Sequence, residues 1–167
     1  PFDADKPEFK DTFRPFSYKS VDITVGGNPL FTGTMVVVNP VIDPTRKELS
    51  VSGYSLPGVL NDCTPPASAF PLEFDNQGLK QIADSLAKPF GIGVEFLADQ
   101  GAVFERVACE PGRKVLDFLI DLAKQRNLII SSSARGKLIF LQAIESGSPV
   151  TILRQGESPL LSVTPFF

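Results

Sequence analysis

The stretch LKQIADSLAKPFGIGVEF, residues 79–96, sets the architecture, because its pattern recurs as VLDFLIDLAKQRNLIISS at residues 115–132. A shift of 36 residues, from 79 to 115, aligns the apolar positions of the two copies. The aligned pairs are Leu79 with Val115, Ile82 with Phe118, Ala83 with Leu119, Leu86 with Leu122, Ala87 with Ala123, Lys88 with Lys124 and Ile92 with Leu128. Each copy predicts an amphipathic helix followed by a strand.

The apolar stripes of the two helices predict a core. Pro89 and Gly91 end the first helix, and Pro111 precedes the second one, which runs to Asn127. With the short strands around them, the units predict an α+β subdomain over residues 71–145, with both helices on one face of a small sheet. The predicted structural core is Leu79, Ile82, Leu86, Phe90, Val115, Phe118, Leu119 and Leu122.

Before the repeat, residues 16–54 alternate apolar and polar side chains, which is typical of strands. The turn Gly26-Gly27-Asn28-Pro29 separates the first strand from a second at residues 30–38, and a third follows at 48–54. The stretch therefore predicts a three-stranded antiparallel meander. Such a meander has exposed edges and little core of its own, so we expect it to pair with other strands.

The order of these patterns predicts four regions. They are an extended lead-in over 1–15, a β meander with an irregular linker over 16–70, the α+β subdomain over 71–145, and an extended segment over 146–167 that returns to the β region. Because the chain starts at Pro1 without Met and stops on Phe166 and Phe167, we expect it to be a piece of a longer protein.

Composition excludes several classes of function. A net charge of -3 gives no basic field for nucleic-acid phosphates, so no specific nucleic-acid binding is expected. No apolar run reaches the roughly 20 residues that span a bilayer, so no stable membrane insertion is expected. The chain has no histidine, which removes Ser-His, Cys-His and histidine-ligated metal sites. Cys63 and Cys109 form either one disulfide or two free thiols.

The remaining candidates for chemistry are carboxylates. Glu73, Glu95 and Glu105 offer an acid and a base for a lytic enzyme, whose two carboxyl groups stand about 5 to 9 Å apart. Nothing in the sequence places one of them in an apolar pocket, so solvated surface positions are favoured. The sequence thus predicts no enzyme, no catalytic residue, no cofactor and no metal site, and it favours binding or assembly.

The order of motifs resembles the baseplate hub proteins of contractile-tailed, Mu-like phages, also called tail protein P and related to the late control protein D group. The resemblance lies in FRPFSYKSVDITVGGNPLFTGTM with its Thr32-Gly33 pair, in LSVSGYSLPGVLNDCT, and in the repeated unit continued through SARGKLIFLQA. It covers residues 13–143.

This resemblance implies a virion structural protein with no catalytic residues, assembled in the bacterial host cytoplasm and located in the tail baseplate. It implies a homotrimer whose protomers each contribute tube-like antiparallel β domains, which this chain holds in part, and a platform that connects the tail tube to the central spike. The residues expected at the assembly interface are Phe16, Tyr18, Val21, Ile23, Phe31, Met35 and Val37. An alternative is a cell-wall- or carbohydrate-binding module of a tail or secretion-system protein.

Overall fold

The computed structural model describes residues 6–14 and 16–143. Within them a short helix comes first, a three-stranded antiparallel sheet is next, and two β-α-β units with one further strand follow. Helices and mostly antiparallel strands share the chain, so the predicted α+β class is confirmed. The predicted extended segment 146–167 lies outside the described residues.

A short helix, α1 (Pro7–Thr12), stands where an extended lead-in over 1–15 was expected, so that prediction is wrong for these residues. Pro7 occupies the first turn, where its missing N–H costs nothing, and Glu8 lies at the positive end of the helix dipole. The rings of Phe9 and Phe13 stack with their centroids 6.1 Å apart. This i, i+4 pair stabilises a turn too short to show a helical period.

The first sheet consists of β1 (Ser20–Val25), β2 (Asn28–Ile42) and β3 (Lys47–Ser55) in that order. Gly26 and Gly27 have φ of 57° and 80°, the left-handed values that a tight two-residue hairpin requires. Strand β2 has 15 residues and β1 has 6, so the second half of β2 pairs with β3 alone.

The predicted linker between the sheet and the repeat is instead part of the packing. It contains 3₁₀ helices at Leu56–Asn61 and Ala67–Ala69, and Leu60 is fully buried in the core. The backbone N–H of Val115 donates to the carbonyl of Cys63 over 2.9 Å. This bond connects the linker to the start of the second helix of the repeat. This packing role was not predicted, because the segment is rich in proline and small residues and one buried leucine gives no periodic pattern.

The repeated units follow in the predicted order of strand, helix and strand. The first unit is β4 (Glu73–Gln77), α2 (Leu79–Ala87) and β5 (Val94–Phe96). The second is β6 (Phe104–Ala108), α3 (Val115–Lys124) and β7 (Ile129–Ser132), and the last described strand is β8 (Leu138–Leu141).

These strands form two small sheets, so the prediction of one sheet carrying both helices is wrong. Strand β4 pairs with β6 in an antiparallel ladder, whereas β8 lies between β5, which is parallel to it, and β7, which is antiparallel. The local pattern specifies each strand but not its partner, because pairing depends on contacts between distant segments. Leu138 and Phe140 of β8 are buried between the two copies and hold the second sheet together.

The core lies between the helices and the two sheets. All the predicted core residues except Phe90 are buried, and Phe90 is half-buried against the same cluster. The ring of Phe118 stacks on Phe74 at 6.1 Å between centroids, and that of Phe96 stacks on Phe140 at 4.4 Å. Aromatic contacts therefore join α3 to the β4–β6 sheet and join β5 to β8 within the other sheet.

Candidate assembly surface

One face of the first sheet is apolar. In the antiparallel ladders Ile23 stands opposite Phe31, and Val38 stands opposite Val51, and residues opposite one another project to the same side. Ile23 is 45% exposed and Val51 is 41% exposed, so much of this side faces solvent. We call it the apolar face; it comprises Val21, Ile23, Phe31, Met35, Val38, Ile42, Leu49 and Val51.

The opposite face is mostly polar. It carries Asp22, Thr24, Thr32, Thr34, Asn39, Ser50 and Ser52, with Val37, Val41 and Tyr54 among them. Antiparallel sheets commonly bury their apolar side and leave the polar side to solvent. Here the polar face meets the 3₁₀ helix Leu56–Asn61 and the turn at Gly136, while Ile23 and Val51 on the apolar face stay exposed.

The sheet also has open edges. Within residues 6–14 and 16–143, the outer edges of β1 and β3 pair with no further strand. The pairing of β1 with β2 ends at Ser20 opposite Thr34, and the N–H of Met35 then donates to Lys19. Unpaired N–H and C=O groups at such edges are ready to extend the sheet with strands from elsewhere.

The structure splits the predicted interface residues into three groups. Val21, Ile23, Phe31 and Met35 share the apolar face, but Met35 is only 5% exposed and contributes packing rather than contact area. Val37 stands opposite Ser52 on the polar face, because a bulge at Val36 shifts the register by one residue. A bulge has no signature in the alternation of residues, so the sequence did not separate Val37 from the others.

Phe16 and Tyr18 form the third group, just before β1. Phe16 is 82% exposed and Tyr18 is 58% exposed, and their φ angles are 59° and 46°. Left-handed φ angles are unfavourable for bulky residues, so these two exposed aromatic residues have a strained backbone.

Two glycines allow close approach of β2 and β3 beside the bulge. A Cβ on Gly33 would lie 2.1 Å from the carbonyl oxygen of Tyr54 and 2.6 Å from the ring of Phe31. A Cβ on Gly53 would lie 2.1 Å from the carbonyl oxygen of Thr34. Neither position admits a side chain, so the shape of the sheet depends on both glycines.

A cavity of 370 Å³ lies where the polar face meets the 3₁₀ helix Leu56–Asn61. It is lined by Tyr18, Thr34, Val36, Tyr54, Ser55, Leu56, Val59 and Asp62. Sequence reasoning missed this cavity, because its walls come from three segments that are separate in the chain. The chain's two tyrosines were the available signal, since both line it.

The carboxylates considered for catalysis lie on the surface, and two of them are held in ion pairs. Glu73 accepts a hydrogen bond from Arg106 over 2.7 Å, and Glu95 pairs with Lys137 over 3.0 Å. Glu105 is exposed on β6. Among the described residues, no three His, Cys, Asp or Glu side chains are grouped as a metal site would need. None of these three carboxylates is buried.

The two cysteines are free thiols. Cys109 is buried, and that burial raises the pKa of its thiol, so it stays protonated and packs as a small apolar residue. Cys63 is half-buried. In the described part of the chain, no helix is long and apolar enough to cross a membrane.

Comparison with known proteins gives one consistent result. Residues 57–142, just over half of the chain, match the family model described as baseplate hub protein gp44-like, second domain. The chain is 25% identical over 138 residues to the baseplate hub protein gp44 of Escherichia phage Mu. That match takes in 81% of this chain but 36% of the phage protein, so the chain spans little more than a third of that relative.

Two solved structures of bacterial tail proteins are also similar to this chain. The 43 kDa tail protein of prophage MuSo2 from Shewanella oneidensis is similar with a TM-score of 0.68 and 34% identity, over 76% of this chain and 39% of that one. A tail protein from Neisseria meningitidis has a TM-score of 0.71 and 26% identity, over 87% of this chain and 46% of that one.

A more distant likeness concerns the fold alone. An Escherichia coli component of the type VI secretion system has a TM-score of 0.51 and 11% identity, over 74% of this chain and 36% of that one. The relatives described here are named as hub, tail or secretion-system proteins. The comparisons do not favour the alternative of a cell-wall- or carbohydrate-binding module.

Proposed function

Because this chain belongs to the family of gp44-like baseplate hub proteins, we propose that it is a structural subunit of a phage tail baseplate hub and is located in the tail of the virion. The single observation that carries this proposal is the family match over residues 57–142. The similarity to the tail proteins of prophage MuSo2 and of Neisseria meningitidis supports it.

The two parts of the chain take different roles in this proposal. The first sheet, residues 20–55, makes the contacts of assembly, because it offers an apolar face and open strand edges. The β-α-β units act as a buttress with its own core. We place the boundary between the parts near residue 56, where the 3₁₀ helix starts, rather than near residue 70.

The whole protein is proposed to form a homotrimer that connects the tail tube to the central spike. In a ring of subunits each open edge meets the edge of a neighbour, and closure leaves no edge free. The apolar face is then buried within the wall. The interface residues proposed for these contacts are Phe16, Tyr18, Val21, Ile23 and Phe31.

We also propose that the chain has no enzymatic activity. The ion pairs of Glu73 with Arg106 and of Glu95 with Lys137 support this, because both carboxylates are solvent-exposed and neutralised by a basic side chain rather than set in an apolar pocket. Zymography on bacterial cell walls checks it, and clearing by the protein that disappears in Glu73→Gln, Glu95→Gln or Glu105→Gln would contradict it.

The test of the hub role uses the full-length protein. We expect light scattering to give the mass of a trimer, and electron microscopy of purified tails to locate the protein between the tube and the spike. Deletion of its gene is expected to leave tails without a complete baseplate, and the gene supplied in trans is expected to restore them. A protein that stays monomeric at high concentration and is absent from purified tails would show the proposal to be wrong.

A further inference from the structure

We infer that the cavity between Tyr18 and Tyr54 is a receptor for a basic side chain, a lysine or an arginine, of a partner protein. The cavity measures 370 Å³ and opens beside the first sheet, on the side away from the apolar face. The cavity shares Tyr18 with the interface proposed above, but its other walls lie on the opposite side of the sheet, so the inference does not depend on the number of subunits.

The inner walls of the cavity suit the stem of such a side chain. Val36 from the bulge of β2 and Leu56 and Val59 from the 3₁₀ helix supply aliphatic surface. Lysine and arginine bury three or four methylene groups along apolar surface while their charged ends stay in polar surroundings. The contact area with these three residues therefore favours a long, unbranched side chain.

The charge of the cavity selects a cation. Asp62 is the one charged side chain that lines it, and within residues 6–14 and 16–143 no ion pair reaches the Asp62 carboxylate. A carboxylate without a partner beside apolar walls attracts an ammonium or guanidinium group and repels phosphate and other anions.

The two tyrosine rings add to this preference. Tyr18 is 58% exposed and Tyr54 is 54% exposed, so their ring faces are available to a ligand. The negative face of an aromatic ring attracts cations, and arginine most often. The chain makes the same contact internally, where the guanidinium carbon of Arg126 lies 4.2 Å from the ring centroid of Phe104.

The wall formed by Tyr54 and the 3₁₀ helix is closely packed. A Cβ on Gly58 would lie 2.8 Å from Cβ of Tyr54, so the 3₁₀ helix packs directly against this tyrosine. A site whose walls need no rearrangement loses less entropy when it binds.

The test is an NMR titration of the protein with N-acetyl-arginine methylamide, and with N-acetyl-citrulline methylamide as a neutral ligand of the same shape. We expect the arginine compound to shift the ring signals of Tyr18 and Tyr54 in a saturable way, and the citrulline compound to leave them unchanged. Equal responses to both ligands, or tyrosine signals that respond to neither, would overturn the inference.

A second arm uses Asp62→Asn, with Asp117→Asn as the control for loss of one carboxylate elsewhere. Because the cation loses an opposite charge at a solvent-exposed position, Asp62→Asn is expected to weaken arginine binding by about two- to fivefold, and Asp117→Asn to leave it unchanged. Unaltered affinity in Asp62→Asn would overturn the inference. If this variant does not fold, the arginine and citrulline comparison on the unchanged protein still gives the answer.

Discussion

Gly91 and Asn127, which are equivalent under the 36-residue shift, end the two helices with the same left-handed backbone, at φ of 74° and 54°. The bonds around them are equivalent too. Ile92 N–H donates to Ala87 over 3.3 Å, and Leu128 N–H donates to Ala123 over 2.9 Å. The two copies thus share a helix-ending motif, in which glycine and asparagine are the residues that adopt this conformation most easily.

Gly91→Ala is therefore expected to destabilise the protein by about 1 kcal/mol, because a Cβ is disfavoured at left-handed φ. A Cβ on Gly91 would have no atom within 4 Å, so the loss of stability would come from backbone strain and not from a steric clash. Gly93→Ala is the matched control, since its φ is not left-handed and its nearest neighbour would be Cγ of Lys137 at 3.7 Å. Urea unfolding measures both, and equal stability of the two variants would contradict the prediction.

Leu122→Ala is expected to cost about 2 to 5 kcal/mol, because it leaves a cavity in the core of the second unit, where Leu122 is buried. Lys88→Ala, at an exposed position directly after α2, is expected to change stability by less than about 0.5 kcal/mol. Thermal melting of the two variants beside the unchanged protein checks this. Similar melting temperatures would show that the helix faces are wrongly assigned.

Asp121→Asn is expected to remove a pH-dependent part of the stability. The hydrogen bond from Arg113 lowers the pKa of the Asp121 carboxyl below its ordinary value of 3.8. A pKa that is lower in the folded than in the unfolded chain stabilises the fold above the unfolded pKa, and this contribution is lost as the pH falls through the folded pKa. The unchanged protein should therefore be more stable than the variant at neutral pH.

The difference between the two should shrink on acidification between about pH 5 and pH 2. Glu105→Gln is the control, because in the described part of the chain no ion pair reaches Glu105, and its effect should be smaller. Melting temperatures measured across this range provide the test. A constant gap between the unchanged protein and Asp121→Asn would count against the role given to Arg113.

Val51→Lys and Val41→Lys distinguish the two faces of the first sheet. The two valines are 41% and 43% exposed, but Val51 lies on the apolar face and Val41 stands opposite Glu48 on the other. We expect Val51→Lys to abolish the oligomer of the full-length protein, because a charge would be buried in the proposed wall, and Val41→Lys to preserve it. Light scattering measures the mass. An oligomer that survives Val51→Lys but is lost in Val41→Lys would show that the interface lies on the polar face.

The repeated unit was predictable because its signal is periodic. Leu79, Ile82 and Leu86 recur at helical spacing, and a second copy at Val115, Phe118 and Leu122 makes chance agreement improbable. Gly91 marked the end of the first predicted helix and Asn127 the end of the second, and both residues have left-handed φ in the structure. Local patterns of this kind fix helices and their buried faces.

Features that depend on distant segments were not predictable. The bulge at Val36, the burial of Leu60 and the division into two sheets arise from contacts between parts of the chain far apart in sequence. The cavity beside Tyr54 is of the same kind, since its charge comes from Asp62 and its aliphatic walls from two other elements. No single stretch contains the signal for any of these.

Strand β8 has no counterpart in the first copy, although both copies depend on it. Val94 of β5 pairs with Leu138 on one side of β8, and Ile130 of β7 pairs with Phe140 on the other. The first unit is complete in sequence at Phe96, yet the partners of β4 and β5 lie at residues 104–108 and 138–141. During synthesis on the ribosome these partner strands emerge after the first unit, so β4 and β5 can pair only once residues 104–108 and 138–141 have left the exit tunnel.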